Sequence, residues 1–165
     1  MKKVAIVMGS DSDLPIVKKA AQVLKDFGVP TELRVLSAHR CAAEVSEFAR
    51  NAEKNGTGVI IAAAGKAAHL AGAIAGQTSL PVIGIPIKAS ALEGIDALLS
   101  TVQMPAGVPV ATVAIDGAAN AAFLAVQILA VSDDALMEKM KAYRAAQTAK
   151  VLEADKKMEQ VLAEL

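Results

Sequence analysis

The chain has no tryptophan, one tyrosine and three phenylalanines in 165 residues. So few flat rings leave no stacking platform for nucleobases. Its 17 Lys and Arg are balanced by 17 Asp and Glu. With no basic run to break that balance, the electrostatic footprint of a nucleic-acid binder is missing. A single cysteine, Cys41, excludes an intrachain disulfide framework. Two histidines and no CxxC pair leave no basis for a zinc site, and no metal is expected. The most apolar window, Gly58 to Gly76, is broken by Lys66 and His69. It is too interrupted for a membrane span, and no membrane partner is expected. No signal sequence precedes the first strand-like run, so a cytoplasmic protein is expected. The phosphate loops GxGxxG and Walker A are missing, as is the GxSxG nucleophile elbow.

What the chain has is Ala, Val and Ile, within a hydrophobic content of 54%. Strand-like runs fall at about 2–8, 31–36, 58–63, 81–85 and 109–115, and helix-like runs at about 14–27, 41–54, 67–77, 90–101 and 118–131. Val- and Ile-rich strands without polar alternation are expected to be buried on both faces of a parallel sheet. Five such strands alternating with helices predict one doubly wound α/β domain over residues 1–165, with flavodoxin-like strand order 2-1-3-4-5. Punctuation agrees: Asp13 before Leu14-Pro15 suits an N-cap, and Gly28 before Pro30 suits a helix stop. Residues 133–165 predict a long C-terminal helix, roughly 45 Å at about 1.5 Å per residue. That exceeds what the domain can cover. The run Ala118–Ala130 is apolar almost all round, which predicts burial on every side. Together they predict a homo-oligomer that packs through the C-terminal extension.

Two segments concentrate the chemistry. Gly9-Ser10-Asp11-Ser12-Asp13 follows strand one, and Ser37-Ala38-His39-Arg40 follows strand two. Small polar residues at strand ends followed by helices mark the ligand edge of an open α/β sheet. Helix N-termini and free backbone N–H groups there face an anion. Ser10, Ser12 and Asp13 are expected around a phosphate or carboxylate, with Asp13 accepting from sugar hydroxyls; helix capping would require only one of them. His39 and His69 follow different strands and so meet at the same edge, where an imidazole transfers protons. Arg40 supplies a planar cation for phosphate. Between them, Ala64-Gly65-Lys66-Ala67-Ala68-His69-Leu70-Ala71-Gly72 is a small-residue loop that lets backbone approach a ligand closely. Lys88–Asp96 and Gln103-Met104-Pro105 are further candidates for lining the cleft, from this subunit or an adjacent one. An anion-binding edge with imidazoles suits proton transfer on a small phosphorylated metabolite.

These motifs, in this order, resemble the N5-carboxyaminoimidazole ribonucleotide mutase family, also known as the catalytic subunit of phosphoribosylaminoimidazole carboxylase. The matching pieces are Met8–Asp13, Ser37–Arg40, Ala67–Leu70, Ser90–Leu92, Gln103–Pro105 and Gly117–Ala122. The resemblance implies a three-layer α/β sandwich, assembled as an octamer with active sites between subunits. It implies purine biosynthesis without metal or organic cofactor. Ser10, Ser12, Asp13, Ser37, Ala38, Arg40, Gly65, Lys66, His69 and Leu70 would hold the ribonucleotide, Arg40 chiefly at its phosphate and Asp13 at its ribose. His39 would be the general acid/base while carbon dioxide, released from the substrate carbamate, is recaptured by the ring carbon. Enclosure of carbon dioxide beside that carbon would supply much of the rate.

The family has two branches. The mutase branch has Ser-Ala-His-Arg and Gly-Gly-Ala-Ala-His-Leu-Pro-Gly. The branch that uses free carbon dioxide more often has lysine after the first histidine, Arg or Lys after the loop glycine, and no second histidine. Arg40 and His69 fit the mutase. Lys66 and Ala71 depart from it, as does Cys41-Ala42-Ala43. A non-catalytic ribonucleotide-binding module on the same fold is the other alternative; it would need Arg40 but not His39.

Overall fold

The computed structural model describes residues 1–165. In chain order the elements are β1 (Lys3–Met8), α1 (Leu14–Phe27), β2 (Thr31–Val35), α2 (Ala42–Asn51), β3 (Thr57–Gly65), α3 (Leu70–Ala75), β4 (Val82–Ile87), α4 (Ile95–Val102), β5 (Ala111–Thr112), α5 (Ala118–Ala130) and α6 (Asp134–Ala163). A 3-10 turn, Asp11–Asp13, links β1 to α1. The strands form one parallel sheet in the order β2-β1-β3-β4-β5. This is the flavodoxin-like arrangement expected from the alternation.

Alternate side chains of the central strands leave on opposite faces and build two cores. On one face Val4, Ile6, Val59, Ile61, Ile83 and Ile85 pack against α1, α5 and the start of α6. On the other, Val7, Ile60, Ala62 and Val82 pack against α2 and α3. Each fully buried Val, Leu or Ile contributes about 1.5–3 kcal/mol, so the three central strands dominate the stability. Gly84 shows how close the second layer comes. A Cβ there would collide with the Thr101 methyl on α4. No helix is long and apolar enough to cross a membrane.

Several expectations are corrected by the structure. Strand β2 is not buried: Leu33 and Val35 are 44% and 51% exposed. It is an edge strand, and only Leu36 beyond it enters a core. Lys3, Glu32 and Arg34 form an ion-pair chain along it, and charge on an edge discourages pairing with another sheet. The fifth strand contracts to two residues. Pro109 brings no N–H, and beyond Thr112 only isolated bonds join β4, from Val113 N–H to Gly84 O and Asp116 N–H to Pro86 O. Helix α5 buries Ala118, Ala121, Ala122, Ala125, Val126 and Ala130, while Asn120 is exposed and Phe123, Leu124 and Ile128 are half-buried. Its outer face is therefore covered only in part.

Helix α6 starts as expected, with the Asp133 carboxylate accepting the Leu136 N–H at 3.0 Å. Leu136 and Met140 enter the core, and Tyr143 tilts against Phe27 and Phe123. From Lys141 onward every residue is exposed.

Candidate active site

The switch in chain direction between β1 and β3 opens a crevice at the carboxyl edge of such a sheet. There a cleft of about 340 Å³ is lined by Ser10, Ser12, Asp13, Ser37, Ala38, His39, Arg40, Gly65, Lys66, His69 and Leu70. The residues singled out in the loops after β1, β2 and β3 thus converge on one cavity. Its size suits a small metabolite.

The first loop starts where the Gly9 N–H donates to Ala63 O. The Ser10 hydroxyl caps the 3-10 turn, accepting from the Ser12 N–H at 3.3 Å. The Ser12 hydroxyl lies 2.9 Å from Ser10 Oγ and 3.4 Å from Asp13 Oδ1. Its single proton serves one of them at a time, so the pair keeps capacity for a ligand. Asp13 makes no side-chain cap on α1, contrary to the capping expectation. Instead its carboxyl is buried at the cleft. Burial pushes its pKa above the ordinary carboxylate value, against the hydrogen bonds at Ser12 and Ser10, and nearby Asp11 and Asp116 push the same way.

The second loop is closed on Ser37. Its carbonyl accepts the N–H groups of Arg40 and Cys41 at 3.3 and 2.9 Å. Cys41 Sγ accepts the Ser37 N–H at 3.0 Å and donates to the same carbonyl at 3.2 Å. This tight turn presents His39 and Arg40 to solvent. Cys41 therefore acts within the loop rather than in the cleft.

The third loop leaves β3 through Lys66, whose φ of 56° is left-handed. His69 then reaches His39: Nε2 of His39 and Nδ1 of His69 are 2.8 Å apart, with rings nearly perpendicular. At this separation one N–H lies between the rings, since two donors cannot face each other. The remaining nitrogens, His39 Nδ1 and His69 Nε2, are left for a ligand or water. The pair can pass a proton along a line of two imidazoles. Leu70 belongs to both the cleft wall and the α2/α3 core.

Arg40 and Lys66 have no carboxylate partner, whereas Lys88 pairs with Glu93. That pairing raises the Lys88 pKa. Of the Lys88–Asp96 candidates, only Lys88 and Ala89 line the cleft, together with Ile87. Gln103-Met104-Pro105 does not line the cleft of its own chain; Met104 sulfur packs where a Cβ of Gly72 would be, at 3.2 Å. Sequence reasoning missed Asp116, whose Oδ1 accepts the Lys88 N–H at 2.9 Å. The Asp116-Gly117 turn signal at the end of the last strand was the available clue.

A protein-family model described as AIR carboxylase matches residues 3–150. The chain belongs to the AIR carboxylase family. Among its relatives is a protein of Pyrococcus abyssi named N5-carboxyaminoimidazole ribonucleotide mutase, 59% identical over 87% of this chain and 83% of that one. The phosphoribosylaminoimidazole carboxylase of Saccharomyces cerevisiae is 52% identical over 96% of this chain, which spans only 28% of that longer protein. The crystal structure of Treponema denticola PurE superposes with a TM-score of 0.86, at 32% identity, over 93% of this chain and 96% of that one. Family membership thus agrees with the resemblance carried by the loop motifs.

Proposed function

We propose that this chain converts N5-carboxyaminoimidazole ribonucleotide to 4-carboxyaminoimidazole ribonucleotide in purine biosynthesis, as an isomerase of the mutase kind. The observation that carries this is the His39–His69 pair, 2.8 Å apart, in one cleft with the hydroxyls of Ser10 and Ser12 and the free cation of Arg40. Arg40 and the hydroxyls of Ser10 and Ser12 take the phosphate, and Asp13 meets the ribose hydroxyls. Ser37, Ala38 and Leu70 complete the walls, and Gly65 brings backbone close to the ligand. Inside the cleft the carbamate N–C bond breaks and releases carbon dioxide. The ring carbon attacks that carbon dioxide, and His39 takes the proton the ring carbon loses and returns one to the exocyclic nitrogen. His69 shares that proton through the bond between the rings. No step calls on a metal or organic cofactor.

The exposed apolar residues of α6, among them Val151, Leu152 and Leu162, support assembly through the C-terminal extension. We assign a homo-octamer in the cytoplasm, with sites at subunit interfaces. A second reading, direct carboxylation of aminoimidazole ribonucleotide by free carbon dioxide, is favoured by Lys66, a residue type of that branch.

Turnover on two substrates in parallel decides between them. Conversion of N5-carboxyaminoimidazole ribonucleotide without added bicarbonate supports the mutase. Conversion only of aminoimidazole ribonucleotide with bicarbonate supports the carboxylase. In either case His39→Asn is expected to lower kcat by about 10²–10⁴-fold while nucleotide affinity stays within a few-fold. Equal loss of binding and turnover would remove His39 from the chemistry and favour a binding module.

A further inference from the structure

The chain has three non-glycine residues with left-handed backbone, Lys66, Glu93 and Asp116. They stand on the loops that leave β3, β4 and β5, at the edge that holds the cleft. Such conformations persist only where the surroundings hold them. Lys66 already belongs to the cleft; the other two meet at the segment Lys88–Gly94.

That segment is a closed loop. Lys88 pairs with Glu93 at its ends. Gly94, with φ of 92°, lies so close that an added Cβ would stand 3.2 Å from Lys88 Cα and 2.7 Å from Ile115 Cγ2. Ile115 thus backs the loop, and Asp116 fastens it. The Asp116 N–H donates to Pro86 O at 2.9 Å, and its Oδ1 accepts the Lys88 N–H at 2.9 Å. One residue therefore grips the end of β4 on either side of Ile87, the strand residue that lines the cleft. Its left-handed φ of 57° accompanies both contacts, and Asp and Asn tolerate that conformation better than other side chains.

We infer that Asp116 is a positioning residue for this site: its carboxylate pins the Lys88 backbone and so sets the β4 wall of the cleft formed by Ile87, Lys88 and Ala89. It acts through that wall and not on the ligand. The inference rests on the cleft being the active site, as proposed above. A hydrogen bond to a charged acceptor that orders a binding wall affects substrate capture more than the chemical step. Its loss appears chiefly in KM.

Two variants separate the pin from the charge. Asp116→Gly removes the acceptor and suits the left-handed backbone, so it avoids new strain. Asp116→Asn keeps an oxygen acceptor and also tolerates left-handed φ. KM and kcat are measured on N5-carboxyaminoimidazole ribonucleotide, and hydrogen exchange of the Lys88 amide is followed by NMR in the same proteins without ligand. Asp116→Gly is expected to raise KM about tenfold, with kcat changed less than about threefold, and to speed Lys88 exchange. Asp116→Asn is expected to restore both to near the wild-type values. Unchanged KM and Lys88 exchange in Asp116→Gly would overturn the inference. So would Asp116→Asn behaving like Asp116→Gly, because charge and not the bond would then be responsible. Wild-type protein without turnover would instead defeat the functional reading, while the Lys88 exchange rates would still report on the pin.

Discussion

Lys66 combines a backbone cost with a functional gain, and the two can be measured separately. Its φ of 56° places an L-residue with a Cβ in the left-handed region, at a cost of about 1–2 kcal/mol. Lys66→Gly removes that strain but admits more unfolded conformations, worth about 0.5–1 kcal/mol the other way. The net expectation is a folded state more stable by about 0.5–1 kcal/mol. The same change removes one of the two unpaired cations at the cleft. A charged hydrogen bond to an anionic substrate is worth about 1.5–3 kcal/mol. Lys66 is exposed, so solvent screening reduces that to an expected rise in KM of about tenfold. Lys66→Met completes the design: it keeps the strain and the apolar stem and removes only the charge. The assays are urea denaturation midpoints and steady-state kinetics. Lys66→Gly should be more stable and bind more weakly; Lys66→Met should bind as weakly without the gain in stability. A Lys66→Gly protein with unchanged KM would show that the ammonium plays no part in binding. One that is less stable than wild type would refute the strain assignment.

Asp13→Asn should be more stable than wild type at neutral pH while losing substrate affinity. The Asp13 pKa is raised in the folded state, so ionisation opposes folding above it. That penalty fades as pH falls and the native carboxyl takes up its proton, so the difference in denaturation midpoints should shrink toward acid pH; a constant difference would contradict the burial assignment. Cys41→Ala removes the contacts to the Ser37 backbone and should cost about 1 kcal/mol of stability and lower kcat/KM, with Cys41→Ser recovering most of both. A Cys41→Ala protein that matches wild type in denaturation and kinetics would show that the sulfur does not hold the loop. Truncation after Gln147 removes only exposed residues and keeps the Tyr143 contacts. It should leave the unfolding free energy at high dilution within about 0.5 kcal/mol yet abolish assembly in sedimentation velocity, and an unchanged sedimentation profile would refute the role given to α6.

The sheet was legible because the residues of β1, β3 and β4 are apolar without alternation, which only a strand covered on both faces tolerates. The site was legible because an open α/β sheet forces every strand end to one edge. His39 and His69, thirty positions apart, could therefore be placed together without knowing their contact. What was not legible depends on neighbours. Strand β2 resembles a central strand in its Leu33 and Val35, and only its place at the sheet margin leaves them exposed. The shortening of β5 follows from Pro109 and from the turn at Asp116, whose effects depend on what β4 presents. Helix α3 begins at Leu70 rather than Ala67, because the left-handed Lys66 and the turn after it use the intervening residues. Asp13 looks like a cap in sequence, and only the Ser10 turn frees its carboxyl for the cleft.

The length of α6 divides the chain thermodynamically. Up to Tyr143 the helix shares the apolar burial that makes the core melt as a unit, with Leu136 and Met140 inside it. Beyond that point every residue is exposed, and the helix is held by its own backbone bonds and by pairs such as Lys157–Glu153. Helices without tertiary support lose their order gradually from the end. An isolated chain should therefore show a broad, early loss of helical signal with little heat, followed by a sharp transition of the sheet. The spacing between the two reads directly how much of this helix depends on contacts the chain does not make with itself.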